Sequence, residues 1–172
     1  MDGKIDKSLP SSDESERIIL GTVLIDNDAM QQAAETLEAG DFYSPFNRRV
    51  FAAMLTLYAA SKPIDPMLIG EELKKEGSLE SMGGVTTITN LTFGLPHFPN
   101  IAEYVNIVRQ KSNLRQLVRT CNAITANVLG EESNADEVFA DAQNKINDLC
   151  LQSESGNTDE HFASLTKVIE GD

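Results

Sequence analysis

The sequence predicts an all-α protein: a compact helical head, then a long antiparallel helical hairpin, then a short linker helix. Three observations carry this. Residues Asp41 to Leu73 read as two helices in succession, whose starts are written as Ser44-Pro45 and Asp65-Pro66. An oxygen-bearing N-cap followed by proline uses the orphan amides at a helix start and wastes none, because proline has no N–H. From Asn100 to Leu149 the apolar residues recur at spacings of three and four, the helical period. Only Val85 to Thr92 is rich in β-branched residues, and no other stretch offers it a partner strand, so its backbone could not be satisfied in a sheet.

Taken in order, residues 1–10 form a flexible tail and residues 11–99 the head. Ser11 with Glu14 suggests a capping box, and Asp13, Glu14 and Glu16 favour the positive end of the helix that follows. That helix buries Ile18, Ile19, Val23 and Leu24. Gly21 within it costs about 1 kcal/mol relative to Ala, which points to close packing or a local break. Asp26-Asn27-Asp28 is a turn and cap, and Met30, Ala33, Ala34 and Leu37 make a second amphipathic helix stopped by Gly40. In the third helix Phe46, Val50, Met54 and Tyr58 recur every four residues, with Phe51 and Leu55 beside them. Leu68, Ile69 and Leu73 line the fourth, which Gly77 ends. Four of the ten aromatics, Phe42, Tyr43, Phe46 and Phe51, fall here, so the head is centred on this stretch. Leu79 to Met82 is a single turn closed by Gly83-Gly84, and Gly94 to Asn100 is a loop with two prolines.

Residues 100–151 form the hairpin. A helical pattern runs from Asn100 to Leu129, and at ~1.5 Å per residue it spans about 44 Å, more than the head requires. Leu114, Leu117, Cys121, Ile124 and Val128 make a heptad-like seam. After a turn at residues 130–134, Ala135, Phe139, Ala142, Ile146 and Leu149 repeat the spacing on the returning arm, with Asn134 and Glu137 as its capping pair. Residues 152–172 are a linker with a short docking helix. Its polar start from Gln152 to Glu160 is flexible, whereas Phe162, Leu165, Val168 and Ile169 restore amphipathy over a helix too short to stand alone in water.

Four blocks in this order carry a family resemblance: Ser12–Asp26 (SDESERIILGTVLID), the Asp41–Leu73 stretch with its Asp-Phe-Tyr and Pro-Ile-Asp, Ser78–Gly84 (SLESMGG) and Ile101–Arg109 (IAEYVNIVR). Together they make residues 9–150 resemble the N-terminal domain of DnaB-type bacterial replicative DNA helicases. The resemblance implies that Val85–Thr92 is a short helix. It further implies a collar domain that pairs through its hairpin, as three dimers in a hexamer, and that meets primase and the helicase loader. Leu114, Leu117, Cys121, Ile124, Val128, Phe139, Ile146 and Leu149 are then the pairing interface. Phe162, Leu165, Val168 and Ile169 are the face that docks on a neighbouring ATPase domain. ATP and magnesium belong to that ATPase domain, and no cofactor is expected for this chain. A primase domain that binds helicase is built on a similar head and hairpin and remains the alternative. A small carboxylate-based hydrolase is a more distant one.

The residues themselves offer little chemistry. There is no G-x-x-x-x-G-K loop to cradle phosphates, and His97 and His161 have no second ligand at metal-binding spacing. No catalytic residue and no metal ligand is therefore assigned. Glu71-Glu72 and Glu131-Glu132 are adjacent, so each pair diverges on a helix. Cys121 and Cys150 suit a reducing compartment, and no apolar run approaches a membrane span, so a cytoplasmic location is expected. With a net charge of −13 the surface as a whole does not attract nucleic acid. Lys111, Arg115 and Arg119 step by four without interleaved aromatics, opposite an acidic returning arm. That favours a charge-register role in protein pairing over contact with DNA.

Overall fold

The computed structural model describes residues 8–95, 100–130 and 134–154. Over these residues the protein is all-α, as its sequence predicts. It divides into two compact units, Met1–Ser112 and Asn113–Asp172. The division falls later than residue 100, because the start of the long helix belongs to the head: Ile101, Val105 and Val108 are all in its core.

The head contains α1 (Asp13–Ile25), α2 (Ala29–Thr36), α3 (Pro45–Ala59), α4 (Pro66–Lys75), α5 (Gly84–Thr89) and the first part of α6 (Ile101–Val128). Single 3-10 turns stand at Ala39–Asp41, Glu80–Met82 and Asn90–Thr92. Thus Val85–Thr92 is helical throughout, as the resemblance implies. Both proline-marked starts are real caps. Ser44 accepts from the Asn47 amide, and Asp65 accepts from the amides of Met67 and Leu68 at 2.8 and 2.9 Å. The first helix departs from expectation. Its N-cap is Ser12, whose hydroxyl donates to Ser15 instead of closing a capping box. Helix α2 likewise ends at Thr36, before Gly40.

Phe42 and Phe51 pack at a centroid separation of 4.6 Å in the middle of the core, with Val50, Met54, Leu57, Ile69 and Leu73 around them. Tyr58 is not part of it and is 42% exposed. A four-residue step overshoots the helical turn by about 40°, so a stripe that starts at Phe46 has rotated toward solvent by Tyr58. Gly21 marks the closest approach between α1 and the 3-10 turn at Asn90–Thr92. A Cβ on it would lie 2.4 Å from the Leu91 carbonyl oxygen, which explains why the helix carries a glycine there.

Two acids in the head are buried and structural. Glu16 accepts from the amides of Tyr43 and Ser44, at 2.6 and 3.3 Å, and from Asn47 Nδ2 at 2.9 Å. A carboxylate from α1 thereby satisfies the positive N-terminus of α3. Asp41 accepts the Glu38 amide and pairs with Arg109 of α6.

The second unit is a helical hairpin, made by the remainder of α6 and by α7 (Ala135–Glu154). Asn134 accepts from the Asp136 amide at the start of α7. The helix passes the expected end of the hairpin by three residues, to Glu154.

Candidate functional site

The hairpin has two unlike faces, and the arms meet along an edge between them. On α6, Gln116, Thr120 and Ile124 are half-buried. On α7 so are Val138, Asp141, Ala142, Lys145, Ile146 and Leu149. Asn127 Nδ2 donates to Asp141 Oδ2 at 2.8 Å, which sets the register of one arm against the other. Lys145 donates to the same carboxylate. These bonds, that from Lys145 first, hold the Asp141 carboxyl below its ordinary pKa.

At about 100° per residue, Leu114, Leu117, Val118, Cys121 and Val128 cluster about a quarter turn away from the side of α6 that meets α7. On α7, Phe139, Ile146 and Cys150 stand a similar quarter turn from the side that meets α6. Because the arms are antiparallel, both offsets lead to the same face of the hairpin. That face is open: Phe139 is 76% exposed and Val128 57%, with Leu114, Leu117, Val118, Cys121 and Cys150 also exposed. Isolated exposed apolar residues are ordinary, whereas a continuous exposed apolar face signals a partner.

The seam read from the sequence therefore splits. Ile124 and Leu149 are half-buried where the arms meet, and Ile146 lies at the margin between that edge and the open face. Leu114, Leu117, Cys121, Val128 and Phe139 do not hold the hairpin together but lie exposed on that face. Heptad spacing finds an apolar stripe but does not say which neighbour covers it.

The opposite face is polar. Arg119 and Gln116 of α6 and Lys145, Asp148 and Gln152 of α7 line a shallow groove of about 390 Å³. Here the structure corrects the basic stripe of Lys111, Arg115 and Arg119. Arg115 is 2% exposed and is engaged within the protein, so it is not an open charge between the other two. A spacing of four places these residues on one side of a helix without distinguishing solvent from protein. The sequence also did not single out the structural roles of Glu16 and Arg109. The former reads locally as a dipole charge for its own helix, and its link to Tyr43, Ser44 and Asn47 spans some thirty residues with no local signal.

Phe162, Leu165, Val168 and Ile169 lie outside the described residues. Among the described residues no cluster of three or more His, Cys, Asp or Glu could hold a metal ion. No helix there is long and apolar enough to cross a membrane.

A head of this topology followed by a two-arm hairpin has clear relatives. The family model for the DnaB-like helicase N-terminal domain matches residues 8–110. The chain belongs to that family. Among full-length relatives, the replicative DNA helicase DnaB of Geobacillus stearothermophilus is 33% identical over 86% of the chain and 32% of its own length. The replicative DNA helicase DnaC of Bacillus subtilis is 30% identical over 82% of the chain and 31% of its own length. The chain thus spans about a third of these relatives. Among solved structures, the N-terminal domain of DnaB helicase from Mycobacterium tuberculosis superposes with a TM-score of 0.76 at 31% identity, over 82% of this chain and 99% of that one. The corresponding Helicobacter pylori domain, described together with its interactions with primase, gives 0.60 at 26% identity over 68% and 91%. These likenesses favour a DnaB-like helicase domain over a primase domain or a carboxylate hydrolase.

Proposed function

We propose that this chain is the collar domain of a hexameric replicative helicase, which pairs with its own copies through the hairpin and engages primase and the helicase loader in the cytoplasm. The observation that carries the reading is the open apolar face of the hairpin, with Phe139 and Val128 mostly exposed. Burying an apolar face of this kind is favourable by roughly 25 cal/mol per Å², and a second copy presents a matching one. The Helicobacter pylori domain is described together with its interactions with primase, and the same contact is proposed here by family membership. By itself the domain performs no catalysis. Its two buried acids in the head, Glu16 and Asp41, are both committed to structural bonds. In this reading ATP and magnesium act in the ATPase domain of the longer helicase.

Sedimentation velocity tests the pairing. The Leu117→Asp/Val128→Asp variant places two charges on the open face, and it should sediment as a monomer with its helical circular dichroism intact. A variant that keeps the wild-type mass would overturn the assignment of this face. Retention of primase by the immobilised wild-type chain tests the second half, and failure to retain it removes primase from the proposal.

A further inference from the structure

We propose that the end of α1 and the start of α4 form a docking surface on the head for a basic, apolar-anchored segment of another protein. It lies within the first unit, Met1–Ser112, and does not rest on the pairing proposed above.

Two segments distant in sequence are fastened together there. Asn27 Nδ2 donates to the carbonyl oxygens of Val23 and Ile64, both at 2.9 Å, and the Ile64 amide donates back to Asn27 Oδ1 at 2.8 Å. This clamp holds the turn after α1 against the loop before α4, with the Ile64 side chain buried. Ile25 lies two residues to one side of the clamp and Met67 three residues to the other. Among the described residues of the head they are the two most exposed large aliphatic side chains, at 67% and 64%. Neither adds to the core. Both nevertheless stand on fixed backbone: the Asp26 amide closes α1 on the Thr22 carbonyl at 2.8 Å, and Asp65 accepts the Met67 amide at 2.8 Å. An apolar anchor on fixed backbone costs little ordering entropy when a partner covers it, which favours its use in binding.

Charge decides the kind of partner. Residues 25–28 and 62–71 hold four acids, Asp26, Asp28, Asp65 and Glu71, against Lys62 alone. Asp26 stands at the negative end of α1, whose last turn has no basic residue. Negative charge is unfavourable at that end of a helix, and a cation brought beside it relieves the repulsion. The rim therefore repels nucleic acid and attracts Lys or Arg placed next to an apolar side chain. A second copy of this chain does not supply such a segment. At a net charge of −13 its copies repel each other, and in its basic arm Arg109 pairs with Asp41 and Arg115 is buried. The occupant is thus a different protein, in which a few cations flank one or two apolar side chains.

The probe is a short synthetic amphipathic peptide of Lys and Leu, with a Glu and Leu peptide of the same pattern as control. In an NMR titration of the isotope-labelled full chain, the Lys peptide should give saturable amide shifts centred on residues 23–28 and 62–71. Added salt should weaken this binding, because exposed charges are screened, and the Glu peptide should give no shifts there. Ile25→Ser/Met67→Ser should weaken binding by about tenfold or more, the loss expected from removing two anchors. Asp26→Asn/Glu71→Gln leaves the apolar pair in place and should weaken it by about threefold, as loss of exposed ion pairs does. Shifts confined to the hairpin, equal binding of the two peptides at the head, or unchanged affinity in both variants would each overturn the proposal. Shifts of residues 23–28 on dilution without peptide would identify a second copy as the occupant and overturn it as well.

Discussion

Arg109 Nη1 donates to both carboxylate oxygens of Asp41, at 3.1 and 3.0 Å, joining residues 68 positions apart. The Asp41 side chain is 4% exposed and that of Arg109 24%. The pair ties the start of α6 to the turn that precedes α3, where Phe42 enters the core.

Replacing Arg109 with Ala should therefore destabilise the head. The Asp41 carboxylate would stay buried while losing the Arg109 guanidinium. Loss of a charged hydrogen-bond partner at a buried group costs about 1–3 kcal/mol. The cost stays below the ~3–5 kcal/mol of a fully buried pair because the guanidinium keeps some solvent. A urea titration should show a lower midpoint at unchanged slope, and an unchanged midpoint would reduce the pair to a surface contact.

Gly21→Ala runs against helix propensity. In an open helix the substitution stabilises by about 1 kcal/mol. Here the new Cβ would meet the Leu91 carbonyl oxygen at 2.4 Å and Leu95 Cδ1 at 2.8 Å. The first of these is backbone and cannot turn aside. Overpacking of this kind costs about 1–3 kcal/mol, so the variant should melt lower than wild type, and a higher melting temperature would show that the 3-10 turn gives way.

Acid should weaken the hairpin through Asp141. Its folded pKa is lowered by the hydrogen bonds from Lys145 and Asn127. A lowered carboxyl contributes stability that is fully present above its unfolded value of about 3.9 and is lost as pH falls through the folded value. The Asp141 carboxyl should titrate below the ordinary aspartate value in a carbon-detected NMR titration. The Lys145→Met variant should return it toward the ordinary value. A midpoint in the variant equal to wild type would remove Lys145 as the cause.

DNA should not bind to the isolated chain near physiological salt. Phosphate-backbone affinity comes from cations that release counterions. The chain has a net charge of −13, Arg115 is buried, and Arg119 shares its groove with Asp148. Fluorescence anisotropy with a labelled single strand should stay flat in a titration where non-specific binders respond at about 10⁻⁴ to 10⁻⁶ M. A saturable rise that is lost in Lys111→Glu/Arg119→Glu would assign the basic arm to DNA.

Local chemistry alone determined the all-α class, the caps of α3 and α4, the glycine in α1 and the two-arm hairpin. Ser44-Pro45, Asp65-Pro66 and the three-and-four spacing act within one or two turns, so they are legible in a single stretch of chain. The helical state of Val85–Thr92 was not legible locally, since its β-branched residues favour a strand, and only likeness to a family pointed to it. Tertiary structure alone decided what each helix face meets. It turned Tyr58 outward, buried Arg115, and drew Glu16 to the start of α3. It also divided one heptad seam into Ile124 and Leu149, which face the other arm, and Leu117, Cys121 and Val128, which face solvent. The physical reason is that a helix repeats every 3.6 residues whatever surrounds it. Periodicity therefore reports which residues share a side, and only the packing of distant segments decides whether that side is core, partner arm or open surface.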